Sequence, residues 1–140
     1  MNITVLGFDG TVSCRPDTTW VRKDIEIFLP DAVSALSFTP VRYFRMSRTG
    51  KCIGARFADR YYESIGYGVL LYAEGHPSPA IFDKTSVLPE LMFSKFTLEA
   101  EDNRFEFRLN GKSVWENANG SGARQEIERV LTDISGMVSQ

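Results

Sequence analysis

Apolar and polar positions alternate with a strand-like period of two over several short stretches of this chain, and with a helical period over only two. Residues 3–6 read as a short strand that ends at Gly7. A second strand is predicted over 25–29, with Ile25, Ile27 and Leu29 on one face, Glu26 on the other, and Pro30 as its stop. Residues 43–47 alternate similarly and end in a turn at Arg48-Thr49-Gly50. Phe57, Tyr61 and Ile65 lie one helical turn apart, which predicts a short helix over 56–65. The near-continuous apolar run 67–73 predicts a central strand buried on both faces. Phe105, Phe107 and Leu109 then alternate with Glu106 and Arg108, and Asn110-Gly111 supplies the positive-φ pair of a type I′ turn. With Ser113-Val114-Trp115 returning, 105–115 is a predicted β-hairpin. Beyond Gly120-Ser121-Gly122, the stripe Ile127, Val130, Leu131, Ile134, Met137 and Val138 marks an amphipathic helix. The fold class this predicts is α+β, strand-rich, with two short helices.

Composition narrows the class without naming a function. The 140 residues are 43% hydrophobic and 24% charged, with 16 Lys and Arg against 18 Asp and Glu, a net charge of -2. That excludes a disordered chain, a collagen-like rod and a generally basic nucleic-acid coat, and the length suits one domain over 1–140. Cys14 and Cys52 stand in unlike surroundings without CxxC spacing, as expected of two reduced structural thiols. The N-terminal residues lack a basic region and reach an acid at Asp9, unlike a signal peptide, and the run 69–73 is too short to cross a bilayer. The expectation is a cytoplasmic protein without a membrane partner.

Few residues offer chemistry on their own. His76, the only histidine, sits in Gly75-His76-Pro77, a loop sequence with no second metal-favouring residue nearby. Asp17, Glu63, Glu74 and Asp83 are scattered and read as solvated or turn-forming acids. Phe8-Asp9-Gly10-Thr11 is similar to the Asp-x-Asp-Gly-Thr motif of haloacid-dehalogenase-type phosphatases, but Gly7 occupies the position of the nucleophilic aspartate, so that chemistry is not expected. Arg42, Arg45, Arg48, Lys51, Arg56 and Arg60 share one stretch with Tyr43, Phe44, Phe57, Tyr61 and Tyr62, and Asp59 is its only acid. Cations interleaved with aromatics suit an anion or a nucleic acid, with Arg45, Arg48 and Lys51 as candidate anion ligands. The competing reading is a core of aromatics with a solvated rim of arginines, and the negative net charge argues against nucleic acid as a general partner.

Several segments together resemble the fumarylacetoacetate hydrolase family, in order and over essentially the whole chain. Arg15-Pro16-Asp17-Thr18 resembles the family's Lys-Pro-x-Thr/Ser segment. Residues 45–53 (RMSRTGKCI), followed by Arg56-Phe57-Ala58 and Arg60-Tyr61-Tyr62, are similar to a bacterial branch with the pattern R-I-S-R-x-G-K-C-I…R-F-A-x-R-Y-Y. Phe82-Asp83 with Ser86-Val87-Leu88 matches its F-D-G-S-A-V-L segment, and the hairpin turn and closing helix follow. The resemblance implies a partial β-roll. It also implies metal-assisted hydrolysis or decarboxylation of β-diketo or oxo acids, in which Mg²⁺ or Mn²⁺ stabilises an enolate.

The same resemblance takes away the means of that reaction. Aligned without a gap, the family's Glu-x-Glu metal ligands fall on Thr39 and Val41, and its aspartate ligand falls on Leu70. The family's histidine falls on Ser37 or Phe38, its Arg-Asp on Glu74-Gly75, and its lid segment is shortened to 76–80. Strands that close the family's β-roll would lie beyond Gln140. The expectation is a catalytically inactive relative with no cofactor, acting as a structural, regulatory or partner subunit. It would form a homodimer or a complex with a full-length relative that covers open sheet edges. The alternative is a residual or altered hydrolase or decarboxylase.

Overall fold

The computed structural model describes residues 2–7, 9–22, 31, 33–96, 104–118 and 123–137. Nine strands, two 3-10 helices and one α-helix are defined among them. They run β1 (Asn2–Leu6), β2 (Val12–Pro16), η1 (Asp17–Thr19), β3 (Trp20–Val21), β4 (Leu36–Met46), η2 (Ala55–Tyr61), β5 (Tyr62–Ala73), β6 (Ser86–Val87), β7 (Phe93–Ser94), β8 (Arg104–Leu109), β9 (Lys112–Ala118) and α1 (Ala123–Met137). The architecture is α+β and strand-rich, as the residue pattern predicts. No helix among the described residues is long and apolar enough to cross a membrane.

Two of the three sheets are hairpins. β1 and β2 pair antiparallel from Asn2↔Pro16 to Leu6↔Val12. Their turn is closed by Gly7 N–H donating to the Thr11 carbonyl at 3.0 Å, and Gly10 takes a φ of +82° that a Cβ would oppose. β8 and β9 pair antiparallel around Asn110 (φ 52°) and Gly111 (φ 80°), the predicted type I′ turn, with a register shift between Phe107 and Arg108. The third sheet has the order β3-β6-β5-β4, with β7 also pairing β5.

The chain divides into two compact units. The first comprises Met1–Tyr43 and Gly66–Leu91, and its buried apolar residues include Val21, Val33, Leu70, Ala73 and Leu88. β3 runs parallel to β6 (Trp20↔Ser86), and β6 runs antiparallel to β5 (Leu70↔Ser86). Tyr43 lies against Gly66, occupying the space a side chain there would need. The second unit comprises Phe44–Ile65 and Met92–Gln140. There α1 packs on η2, burying Ile127, Leu131 and Ile134 with Ile53, Ala58, Tyr62 and Ile65. Ser135, fully buried, accepts Cys52 N–H on its carbonyl at 2.8 Å and Ile53 N–H on its hydroxyl at 3.0 Å.

Three sequence expectations need correction. The helix predicted over 56–65 is the 3-10 helix η2, which ends at Tyr61; Tyr62–Ile65 belong to β5, where Ser64 and Ile65 pair with Ser94 and Phe93. Tertiary pairing with β7 overrides the helical spacing of Tyr61 and Ile65. Strand 43–47 ends at Met46 and starts earlier, at Leu36, running through Pro40. β4 ends the sheet order, and an edge position tolerates a residue without an N–H. Residues 67–73 do form part of a central strand with none exposed, but only Leu70 and Ala73 are fully buried. The strand expected over 25–29 and the glycine-rich turn at 120–122 lie outside the described residues, as does Val138 of the helical stripe.

Candidate functional site

The most unusual chemistry in the first unit is a buried cation without a carboxylate. Arg15, on β2, is 1% exposed. Its Nη1 donates to the Thr85 carbonyl (3.0 Å), Thr85 Oγ1 (3.3 Å) and Ser86 Oγ (3.0 Å), and its Nη2 to the Leu71 carbonyl (2.6 Å). The guanidinium carbon lies 4.5 Å from the centre of the Tyr72 ring, a cation–π contact. Thr19 Oγ1 extends the cluster, 2.9 Å from Ser86 Oγ, while donating to the Pro16 carbonyl at 2.7 Å. Burial lowers the Arg15 pKa below the ordinary arginine value, and Tyr72 acts in the opposite direction. Guanidinium remains charged under these conditions, so the donors are permanent. The cluster ties β2 to the strand pair β5–β6.

The positions that the family resemblance assigns to metal ligands lie in the same unit. Thr39 is exposed and Val41 half-buried on β4, while Leu70 is 2% exposed on β5, paired with Ser86. Strand alternation puts Leu70 on the same face of β5 as Tyr72, the ring that carries Arg15. A Mg²⁺ or Mn²⁺ ion takes carboxylate or carbonyl oxygens, and a buried leucine offers none. Among the described residues no group of three or more His, Cys, Asp or Glu could hold a metal ion. The side chains at 39, 41 and 70 therefore do not supply the oxygen donors that such an ion takes. Of the other positions that the resemblance points to, Ser37 is half-buried and Phe38 is 39% exposed; Glu74 and Gly75 are exposed.

His76 and Asp9 have local roles. The Ser78 N–H donates to His76 Nδ1 at 2.9 Å, and the imidazole meets the Phe82 ring edge-on at 4.9 Å. Asp9 accepts the Thr11 N–H at 3.0 Å in the β1–β2 turn, and that bond lowers its pKa. Asp-Gly-Thr is thus a turn sequence here.

The candidate anion ligands belong to the second unit. Arg45 is exposed on β4, and Arg48 and Lys51 are exposed on the segment that follows. This segment is fixed, because Ser47 N–H donates to the Tyr61 carbonyl at 2.8 Å and Ser135 holds residues 52 and 53. Arg56 and Arg60 on η2 are also exposed, each with its guanidinium carbon 5.1 Å from the centre of the Phe57 ring. Lys95, missed in the sequence reading, donates to the Asp59 carbonyl and, at 3.0 Å, to the Tyr62 carbonyl. It also lies 5.8 Å from the centre of the Phe96 ring. The sequence singled out Arg15 only through its resemblance segment, and nothing local identified Thr85, Ser86 or Lys95 as partners of anything. Cys14 and Cys52, expected as structural thiols, are both exposed.

No protein-family model and no curated protein matches the sequence. Solved structures do match the fold. A 5-carboxymethyl-2-hydroxymuconate delta-isomerase from Mycobacterium smegmatis is similar over 96% of this chain and 55% of its own, with a TM-score of 0.77 and 16% identity. A fumarylpyruvate hydrolase from Pseudomonas aeruginosa, in complex with Mn²⁺ and pyruvate, is similar over 92% of this chain and 61% of its own, with a TM-score of 0.72 and 11% identity. A fumarylacetoacetate hydrolase family protein from Yersinia pestis is similar over 94% of this chain and 68% of its own, with a TM-score of 0.75 and 11% identity. The chain therefore has the fold of fumarylacetoacetate hydrolase-like proteins, and it spans between 55% and 68% of the length of these three.

Proposed function

We propose that this chain, with the fumarylacetoacetate hydrolase fold as premise, is a relative of that family without its metal-dependent chemistry, serving as a structural, regulatory or partner subunit. The observation that carries this reading is Leu70, 2% exposed on β5 where the resemblance places an aspartate ligand. Thr39 and Val41 at the two glutamate positions support it: the hydroxyl of one threonine cannot supply the charge of three carboxylates. Next to Leu70, a cation already engages the polar groups of the strand pair, since Arg15 donates to the Leu71 carbonyl and the Ser86 hydroxyl. A divalent ion there would meet like charge at close range. The partner expected is a second copy or a full-length relative.

Calorimetric titration of the protein with Mg²⁺ and with Mn²⁺ near neutral pH tests the reading. The expected outcome is no saturable heat and no shift in thermal midpoint with either ion. Stoichiometric binding would overturn it and return the chain to the metal-dependent hydrolases and decarboxylases.

A further inference from the structure

We propose that one face of the unit formed by residues 44–65 and 92–140 binds single-stranded nucleic acid, with the exposed cations from Arg45 to Arg60 on the phosphates and the rings of Phe57 and Phe96 against the bases. This is independent of the metal-ligand argument, which concerns the other unit.

The cations of this face stand outside ion pairs, although the chain as a whole is slightly acidic. Arg45, Arg48, Lys51, Arg56 and Arg60 are all exposed, and among the described residues none of them forms an ion pair with a carboxylate. Asp59 is the only acid between Arg45 and Arg60. Unpaired cations on a segment pinned by Ser135 and Tyr61 suit an external polyanion.

The aromatic component selects the class of polyanion. Phe57 is 41% exposed and Phe96 61% exposed. Lys95 joins their surroundings, since it contacts the Phe96 ring and donates to the carbonyl of Asp59 on η2. The guanidinium groups of Arg56 and Arg60 rest against Phe57, so planar cations and rings share one surface. Bases stack on both, whereas an acidic peptide uses only the charge. A lipid bilayer would need rings projecting fully outward, and these are partly packed against their own unit. A duplex groove takes a long helix or ribbon; η2 is a 3-10 helix of 7 residues, which suits an unpaired strand.

Fluorescence anisotropy with a labelled oligothymidylate of about 20 nucleotides tests this, with salt varied from about 25 to about 250 mM. Binding is expected at low salt, with log K falling linearly against log salt at a slope of about -3. The double variant Arg56→Gln, Arg60→Gln should make that slope shallower by about 1.4. Phe57→Ala should weaken binding about fivefold at every salt concentration and leave the slope unchanged. Arg22→Gln, in the other unit, should change neither. Absence of binding at low salt would overturn the proposal. So would equal competition by polyglutamate or by phosphatidylserine vesicles, or full binding by a folded Phe57→Ala protein. Should a variant fail to fold by circular dichroism, the wild-type slope and the two competitions decide the matter.

Discussion

Tyr43 shows how one side chain fixes both a backbone position and a pH response. Its ring fills the space above Gly66, and its hydroxyl donates to the Pro89 carbonyl. Burial raises the phenol's pKa above its ordinary 10.0, because the interior disfavours the phenolate. The folded chain thus holds this proton more tightly than the unfolded chain. The resulting stability is complete below pH 10 and is lost as pH rises through the folded value. Urea midpoints measured from about pH 8 to about pH 11 should fall above pH 10 for the wild type. Tyr43→Phe should be less stable at neutral pH by about 1 kcal/mol and show a flatter alkaline decline. Asp9 has the opposite sign. Its lowered pKa comes from the Thr11 N–H, so its contribution is lost as pH falls through the folded value.

At the scale of elements, Arg15 is the main cross-link of the first unit. It reaches from β2 to the carbonyl of Leu71 on β5 and to the hydroxyl of Ser86 on β6. Removing it leaves buried acceptors without donors, a larger effect than the loss of any single exposed ion pair. Arg15→Ala should cost about 3 kcal/mol in urea unfolding. Arg15→Lys should recover only part of that, because one ammonium cannot match a fork of donors. In the second unit Ser135 has the comparable role, capping two consecutive N–H groups around Cys52, whose φ is 52°. Two elements closed by nearby residues were legible from the sequence, whereas the β1–β2 hairpin, equally local, was read only as far as its first strand. The β8–β9 hairpin needs only Asn110-Gly111 and alternation, and α1 needs only its apolar stripe. The segment 56–65 was not legible, because its second half is decided by pairing with β7, about thirty residues along the chain.

At the scale of the whole molecule, apolar surface remains uncovered. Leu91 is 73% exposed and Ile81 54% exposed in the first unit, and Met137 is 59% exposed in the second. Scattered exposure of this kind is ordinary and marks no interface by itself; it is the proposed partner-subunit role that calls for association. Sedimentation equilibrium at about 10 μM should give a mass of twice the chain. A stable monomer at that concentration would count against the partner-subunit reading.

The sequence by itself determined the α+β class, the β8–β9 hairpin and the helix α1, whose signals are local, and the absence of carboxylates at 39, 41 and 70. Periodicity and turn chemistry act over a few residues, so they survive without knowledge of the fold. Only the tertiary structure decided that Arg15 is buried with Thr85 and Ser86, partners 70 and 71 positions away. It also decided that Lys95 reaches the Asp59 carbonyl on η2. Such contacts depend on which strands become neighbours, and that is settled by packing of the whole unit rather than by any residue's own neighbours in the chain.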